Sequence, residues 1–518
     1  ISTPLMLGLE VQEASDEDNI VEDSPENVYQ GHTQSYVIPT LPAPYFRGKN
    51  GGIYKRIKKE GDEVEVLIYH NDLYVTRRVH DPEAGESIVI RLHLPIDGVR
   101  EFTVPLTAVT SKEELRKHLA MRGIAVAKTD EIVNYLTAWV NHMQFKAKSD
   151  IARRQFGWTD KDYTSFVIGD KEVFADRVEH NPPSTTTSQL IPAFEPKGSF
   201  EEWKSIMQFY SQPGMELHQF IIGLSIGSIF TDFTPIHAAL LHVYSQESGL
   251  GKTTTAYAGL SIWGDPARLA MKESDTYNSK MLRMELMKNV FVVFDELTNM
   301  LPKDASDLLY QVTSGSQKNR MTTSANQERV RGLPWNLSAV STGNSSLTEI
   351  VKMYKTFPKG EGMRVLEARV KPVPGLNKQV TDELSYKIDN NYGHAAIPLL
   401  QCVMRDIAGA KALHKQWQNR LDKLLGFGQA DRFHSVLVAD AVTGIHLGNL
   451  LGFFDFKIPN IINWVSTTVQ ESRESAANFE ASGEEILSAF LAENWSNTLT
   501  IKSRADRRAK NGGVDHLI

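Results

Sequence analysis

The sequence predicts an α/β chain in which a mainly parallel sheet with a helical lid follows a smaller α+β accessory domain, and three observations carry that expectation. Short β-rich runs separated by turn signals fill residues 36 to about 176, strand-like and helical patterns alternate between 200 and 374, and beyond Pro374 the pattern becomes helical. Alternation of strand and helix points to a parallel sheet covered on both faces, because the crossover helices must lie on it.

The 518 residues exceed one ordinary core, so two to four structural units are expected. With 41% hydrophobic and 23% charged residues, the composition fits a soluble globular protein. The most apolar stretch, 220–230, is interrupted by Gly223, Gly227 and two serines and falls well short of the roughly 20 residues that span a bilayer. A core helix is expected there, and no membrane partner. The single cysteine, Cys402, excludes an intramolecular disulfide and a cysteine-rich metal site, which suits a reducing cytosol. No zinc-type histidine spacing and no Ser/His/Asp arrangement is recognisable. Residues 1 to 30 hold eight acids and neither lysine nor arginine; set against a net charge of -7, this leaves about +1 for the rest. Charge therefore argues neither for nor against a polyanionic partner. The chain opens at Ile1 without a signal-peptide pattern, as expected of a piece of something longer.

In chain order, residues 1–34 read as an acidic, disordered tail or linker. The accessory domain is placed at 35–180, with strands at 36–38, 64–69, 73–75, 88–94, 102–104 and 166–168 and turns at Gly51-Gly52, Asn71-Asp72 and Asp97-Gly98. Two helices interrupt it. One spans 111–121, with Ser111 as cap and Glu114 completing a capping box, and the other 130–143. The Pro- and Ser/Thr-dense run at 180–188 marks a linker at 181–199. A core at 200–375 opens with helices at 200–210, behind Ser199, and 215–230. The lid at 376–458 would comprise helices at 382–389, 393–425 and 431–451. Residues 459–518 would add helices at 461–477 and 483–493, a short strand at 499–501 and a basic tail.

Within the core, a strand at 238–244 runs into Ser245-Gln246-Glu247-Ser248-Gly249-Leu250-Gly251-Lys252-Thr253, followed by a helical stretch at 254–263. A flexible loop at a helix N-terminus gathers unpaired backbone N–H groups at the positive end of the helix dipole, and so holds phosphates. Ser248, Gly249, Leu250, Gly251, Lys252, Thr253 and Thr254 are the expected nucleotide cradle. Lys252 would reach the β- and γ-phosphates of ATP, and the Thr253 hydroxyl would bind Mg2+. The pattern is that of a P-loop NTPase, GxxxxGK[ST], with Gln246 in place of the first glycine.

A second element, Val290-Phe291-Val292-Val293-Phe294, is the continuous apolar run of a buried parallel strand, and it ends in Asp295-Glu296. Open α/β sheets bind ligands at the carboxyl ends of their strands. Asp295 is expected on the hydrated magnesium and Glu296 as general base on the attacking water. A third run, 337–340, leads to Ser341-Thr342-Gly343-Asn344. If its strand lies between the other two, Asn344 can sense the γ-phosphate and align water.

Two arginines complete the nucleotide contacts. Arg364 follows a Gly/Lys-rich loop at 355–362 and opens a β-like run; it is expected to project to the γ-phosphate bound by a neighbouring subunit, with Arg369 as its rival. Arg432 opens the helix at 433–451 and is expected to contact nucleotide of its own subunit. A polar insert at 313–331 carries Lys318, Arg320, Arg329 and Arg331, candidates for binding the phosphates of single-stranded DNA if displayed on a hairpin around a pore. Lys502, Arg504, Arg507, Arg508 and Lys510 form a basic run that reads as a solvated tail.

With these residues in place, the chain resembles the helicase-type ATPases of phages and mobile genetic islands, long known as a domain of unknown function with helicase-like relatives. The likeness is carried by Phe156-Gly157-Trp158, residues 198–203, Ser248 to Thr254, Val293-Phe294-Asp295-Glu296-Leu297, residues 315–320 and 335–343, and Asn391-Tyr392-Gly393-His394-Ala395. Loop and acidic pair are common to P-loop ATPases; their order with a tryptophan-led sensor strand is more specific. The resemblance implies an AAA+-like or superfamily-three-like ring, a homo-hexamer that moves along single-stranded DNA during replication of a phage or island in the bacterial cytoplasm. It also implies ATP between subunits, Arg364 acting in trans and the polar insert facing the pore. An upstream primase or polymerase module would use the acidic tail as its linker. Two other functions stay open, an ATPase that loads or remodels a replication partner and a switch whose ATPase only gates assembly.

Overall fold

A computed structural model describes residues 28–30, 35–59, 61–81, 85–181, 184, 186–247, 249–297, 300–317, 332–354, 359–477 and 491. The acids of the N-terminal tail, most of the helix expected at 483–493, the strand at 499–501 and the basic run at 502–510 lie outside these residues. The chain divides into two compact units between Ala152 and Arg153.

The first unit is α+β. Strands Gly98–Pro105, Gly85–Leu94 and Leu73–Asp81 pair antiparallel, and Asp150–Ile151 adds a short parallel edge. Helix Thr129–Lys146 places Ile132, Tyr135, Leu136 and Trp139 on one face, the i, i+3, i+4, i+7 spacing of an amphipathic helix, and buries them in this unit's core. The Tyr135 hydroxyl donates to Leu73 O at 2.6 Å, which lets a phenol sit fully buried at no cost in unmet hydrogen bonding. Ser111 caps helix Lys112–Ala120, its hydroxyl accepting from Glu114 N at 3.5 Å.

The second unit is built on a four-stranded, all-parallel sheet. In spatial order its strands are Val292–Phe294, Leu337–Gly343, Ala238–Tyr244 and Val365–Arg369. They are called here the carboxylate, sensor, loop and edge strands. The seven residues of the sensor strand are buried, as are the first six of the loop strand, which is why both read as runs of apolar or small residues, broken only by His242. Helices Glu216–Gly227 and Arg432–Leu450 pack on each other beside the sheet. Their backbones touch, since a Cβ at Gly227 would lie 2.0 Å from Asp440 O and one at Gly444 2.0 Å from Gly223 O. Glycine is required there for close approach rather than for a turn.

Three expected boundaries move. Residues 153–180 belong to the second unit, not to the accessory domain: Phe156, Trp158 and Phe166 are buried in its core, and the Trp158 indole donates to Ile229 O at 3.0 Å. The stretch expected as a linker is partly interior, with Ser184 and Thr187 buried and hydrogen-bonded to each other. The helices after Pro374, expected as a lid, are built into the same core, and Arg432–Leu450 is buried almost all round. The single helix expected at 393–425 is two, Ala396–Arg405 and Ile407–Leu425, parted at Asp406, whose carboxylate caps the second by accepting from Gly409 N at 2.8 Å. No described helix is long and apolar enough to cross a membrane.

Candidate functional site

Three strand ends meet at one edge of the parallel sheet. Tyr244 lies level with Gly343 and Phe294 level with Ser341, so the residues that follow, Ser245, Asn344 and Asp295, leave the sheet together. Asn344 does end a strand lying between the other two, as its expected role requires.

Gly249 and Gly251 take φ of +77° and +78°, the left-handed region that a side chain resists. Gln246 takes no positive φ, the only such non-glycine residues among those described being Tyr163, Lys288 and Glu296. That is the physical reason a glutamine is tolerated where the motif has glycine. Gly251 leads into helix Lys252–Leu260, which no side chain caps; its first-turn N–H groups therefore have no intrahelical acceptor and carry the positive end of the dipole. Ser248 lies outside the described residues. The Thr254 hydroxyl is turned to Ser385 at 3.0 Å, so of that residue only the backbone faces the loop.

Lys252 Nζ donates to Ser245 O at 2.6 Å, Gly343 O at 2.9 Å and Asn344 Oδ1 at 3.2 Å. Burial lowers the pKa of this ammonium, and the Glu296 carboxylate opposes the shift. Asp295 Oδ1 accepts from Thr253 Oγ1 at 3.1 Å and from Thr342 Oγ1 at 2.9 Å, and Oδ2 accepts from the Tyr257 hydroxyl at 3.3 Å. Burial first, and then the Asp295 carboxylate, push the Tyr257 phenol well above its ordinary pKa. Glu296 sits at φ +59°, a left-handed conformation that costs a non-glycine residue roughly 1–2 kcal/mol. It is held there by its N–H, which donates to Thr342 Oγ1 at 3.0 Å, and by Asn344 Nδ2, which donates to its carboxylate at 3.3 Å.

Thr342, Tyr257 and His242 were missed by sequence reasoning. Tyr257 carried a signal, since it lies four residues after Thr253 on one helix face. Thr342 follows Ser341 at the sensor strand's end, and only the register that sets it beside Asp295 reveals its role. His242, buried in the loop strand, bonds Ser341 Oγ through Nδ1 and Ser345 O through Nε2, both at 2.9 Å. From the edge strand, Glu367 accepts from Ser346 Oγ at 2.8 Å and Leu347 N at 2.6 Å. Together they fix the turn on both sides of Asn344.

Beneath the loop, His218 stacks on Tyr210 with ring centroids 6.1 Å apart, and burial depresses its pKa to about 4. The unfolded chain takes up a proton near the ordinary value of 6.5 that the folded chain refuses until about pH 4. Stability therefore falls as pH drops through that window, by about 3 kcal/mol for this group, and levels off below it. Between pH 7 and pH 4.5, which span most of that window, His218→Gln is expected to lose about 2 kcal/mol less than the wild type in urea unfolding. Parallel losses in both proteins would show that His218 titrates normally in the fold.

The arginines stand elsewhere. Arg364 precedes Val365, which pairs with Leu240, so it lies at the edge of the sheet opposite the loop, whereas Arg369 is level with Tyr244 at the loop edge. Arg432 does not approach its own subunit's loop: Phe433 and Val436 pack on Ile236, ahead of the loop strand, which sets Arg432 beside Arg364. Its expected contact with same-subunit nucleotide is thereby corrected, because the direction of the helix it opens places it at the far edge. Lys318, Arg320, Arg329 and Arg331 lie outside the described residues, but the two ends of their insert meet. Trp335 N–H donates to Gly315 O at 2.9 Å, and Gln317 Nε2 donates to Glu285 at 2.8 Å.

Among the described residues no three His, Cys, Asp or Glu side chains converge as a metal cage. A lone carboxylate and a threonine hydroxyl, Asp295 and Thr253, instead suit a small hard cation that keeps much of its water and takes further ligands from phosphate.

No curated protein matches the chain. A solved structure named "SCCmec type IV Cch - active helicase" is similar over 89% of this chain and 84% of that one, with a TM-score of 0.62 and 17% sequence identity, a likeness of fold alone. A family model described as a domain of unknown function, DUF927, matches residues 46–331. That match takes in the loop, the acidic pair and more than half of the sequence, and the chain belongs to the DUF927 family.

Proposed function

We propose that the chain is a P-loop ATPase of the AAA+-like kind that drives a DNA helicase or translocase of a mobile element, working as a ring with ATP between subunits. The observation that carries the reading is the bridging of Lys252, Asp295 and Glu296 through Asn344 and Thr342 at the ends of three neighbouring parallel strands. The similar structure named as an active mobile-element helicase supports it at the level of fold.

In this reading the backbone around Gly249 to Thr254 and the uncapped helix cradle the phosphates, and the Lys252 ammonium exchanges its carbonyl acceptors for phosphate oxygens. Thr253 and Asp295 would hold Mg2+, which when bound neutralises charge on the phosphates. Glu296, aimed by the left-handed backbone and by Asn344, takes the proton of the attacking water. Arg364, too far from its own loop, serves a neighbour. The cations of the polar insert contact single-stranded DNA.

The test couples ATP hydrolysis to strand displacement. Turnover is expected to rise with added single-stranded DNA, to fall steeply as salt is raised, and to separate a labelled strand from a forked duplex. ATP binding without stimulation by DNA would replace the motor with an assembly switch; stimulation by a replication protein alone would make it a loader.

A further inference from the structure

A strand covered on both faces has no need of a histidine, yet the loop strand carries His242 with no exposure at all. An imidazole buried there is tolerated only if its nitrogens are bonded. His242 is level with Ser341 on the sensor strand and with Glu367 on the edge strand, and Ser341 is level with Phe294, the residue before Asp295. One rung of the sheet therefore crosses all four strands. Tyr244, two residues on and so on the same face, stacks on His242 with ring centroids 5.8 Å apart and planes 7° apart. The direction of the bonds is fixed by chemistry. Ser345 O can only accept, so His242 Nε2 carries the ring proton, and Nδ1 accepts from Ser341 Oγ. Burial lowers the pKa of the ring, against the pull of the Glu367 carboxylate, and so keeps this neutral tautomer. Glu367 in turn accepts from Leu347 N and Thr348 N, at 2.6 and 3.3 Å, through Oε1, and from the hydroxyls of Ser346 and Thr348, at 2.8 and 2.6 Å, through Oε2.

These bonds bracket three residues. Position 341 on one side and positions 345 to 348 on the other are held from the loop and edge strands. Between them lie Thr342, Gly343 and Asn344, which meet Asp295, Lys252 and Glu296. Asn344 is itself exposed, so packing does not aim its side chain, and the held backbone must. We propose that His242 and Glu367 are positioning residues of the ATPase, setting through Ser341 and residues 345–348 where Asn344 stands, and so how Glu296 and Lys252 are aligned when water attacks. The proposal rests on reading the Lys252 loop as a nucleotide site. A drift of about 1 Å at Asn344 costs about 10²-fold in rate. Nucleotide affinity, which rests on the loop backbone and on Lys252, is largely spared. A role in stability alone would weaken folding without separating turnover from affinity.

The experiment uses the full chain and paired variants. His242→Phe keeps a ring of similar bulk and loses both bonds, whereas His242→Gln keeps a donor for Ser345 O; Glu367→Ala loses every bond, whereas Glu367→Gln keeps an amide oxygen for Leu347 N and Thr348 N. A fluorescent ATP analogue reports affinity, phosphate release at saturating ATP with single-stranded DNA present reports turnover, and urea unfolding reports the fold. Expected are affinities within about 3-fold of the wild type throughout, turnover down about 10²-fold in His242→Phe and Glu367→Ala, and recovery to within about 5-fold in the glutamine variants. In an Asn344→Ala background, His242→Phe or Glu367→Ala should lower turnover no further, because both act through that one side chain. Where His242→Phe does not fold, Ser341→Ala, which removes one hydroxyl and no bulk, takes its place with an expected loss of about 10-fold at unchanged affinity. Wild-type turnover in Glu367→Ala and in the His242 or Ser341 variant, equal losses of affinity and turnover, no recovery in either glutamine variant, or losses that multiply with that of Asn344→Ala would each overturn the positioning role. Failure of the wild-type chain to bind and hydrolyse ATP overturns the nucleotide reading itself, and is told apart because it appears before any residue is changed.

Discussion

Lys252→Ala is expected to abolish nucleotide binding, while Glu296→Gln keeps binding and loses hydrolysis by at least about 10²-fold. The two effects differ because the side chains meet different parts of the reaction. Lys252 is the cation where the loop enters its helix, already holding two carbonyl oxygens and Asn344; on the proposed reading its removal deletes the charge that opposes the phosphates in ground state and transition state alike. Glu296 faces Asn344 beside Lys252, and as the proposed base it would act only when water attacks. Glutamine preserves its volume and its bond from Asn344 Nδ2 but has no carboxylate to take a proton. Equilibrium binding of a fluorescent ATP analogue and single-turnover phosphate release separate the two. Wild-type affinity in Lys252→Ala removes the loop from the site, and wild-type turnover in Glu296→Gln removes Glu296 as base. The φ of +59° at Glu296 sharpens the second result. Glu296→Gly relaxes that backbone and is expected to be at least as stable as the wild type while equally inactive, the pattern of a residue whose strain is kept for its chemistry.

The parts of this arrangement that were legible in the sequence are those written locally. The loop strand was read to its last residue, because a run that is apolar but for His242 stops at a polar loop. The carboxylate run, 290–294, proved longer than the paired segment Val292–Phe294, since the preceding helix, Tyr277–Met287, is capped by Lys288 and the chain must turn before pairing begins. What failed was the assignment of elements to cores. The aromatic strand Phe166–Ile168 looks like the strands before it, and only packing against Trp263, with ring centroids of Phe166 and Trp263 6.1 Å apart, places it in the second unit. Arg432 was misplaced for a related reason, since a residue at a helix start reads alike whichever edge of the sheet the helix begins from. Thr342 and Tyr257 join the carboxylate site through strand register and helix face, relations between distant residues that no single motif contains.

The largest expected loss of stability follows from Asp440, a carboxylate with no exposure in the middle of helix Arg432–Leu450. It accepts from Thr231 Oγ1 at 2.7 Å, from Ser338 Oγ at 2.8 Å and from His414 at 2.8 Å, and so ties two helices and the start of the sensor strand to one point. Burial raises its pKa, and the bonds from His414 and the two hydroxyls oppose the shift. Asp440→Ala leaves His414, itself buried, facing a void with its donor unmet, and is expected to cost about 3–5 kcal/mol. In urea the midpoint should fall with an unchanged slope. A loss under about 1 kcal/mol would mean that water reaches the network. The double change Asp440→Leu with His414→Phe discriminates further. Thr231 Oγ1 and Ser338 Oγ already lie 3.2 Å apart and can bond each other, so replacing both ionisable partners by apolar side chains strands one hydroxyl donor, whereas Asp440→Ala strands that donor and the His414 N–H as well. It should therefore be less damaging than Asp440→Ala alone, as expected when the cost lies in the unpaired survivor rather than in the value of the pair.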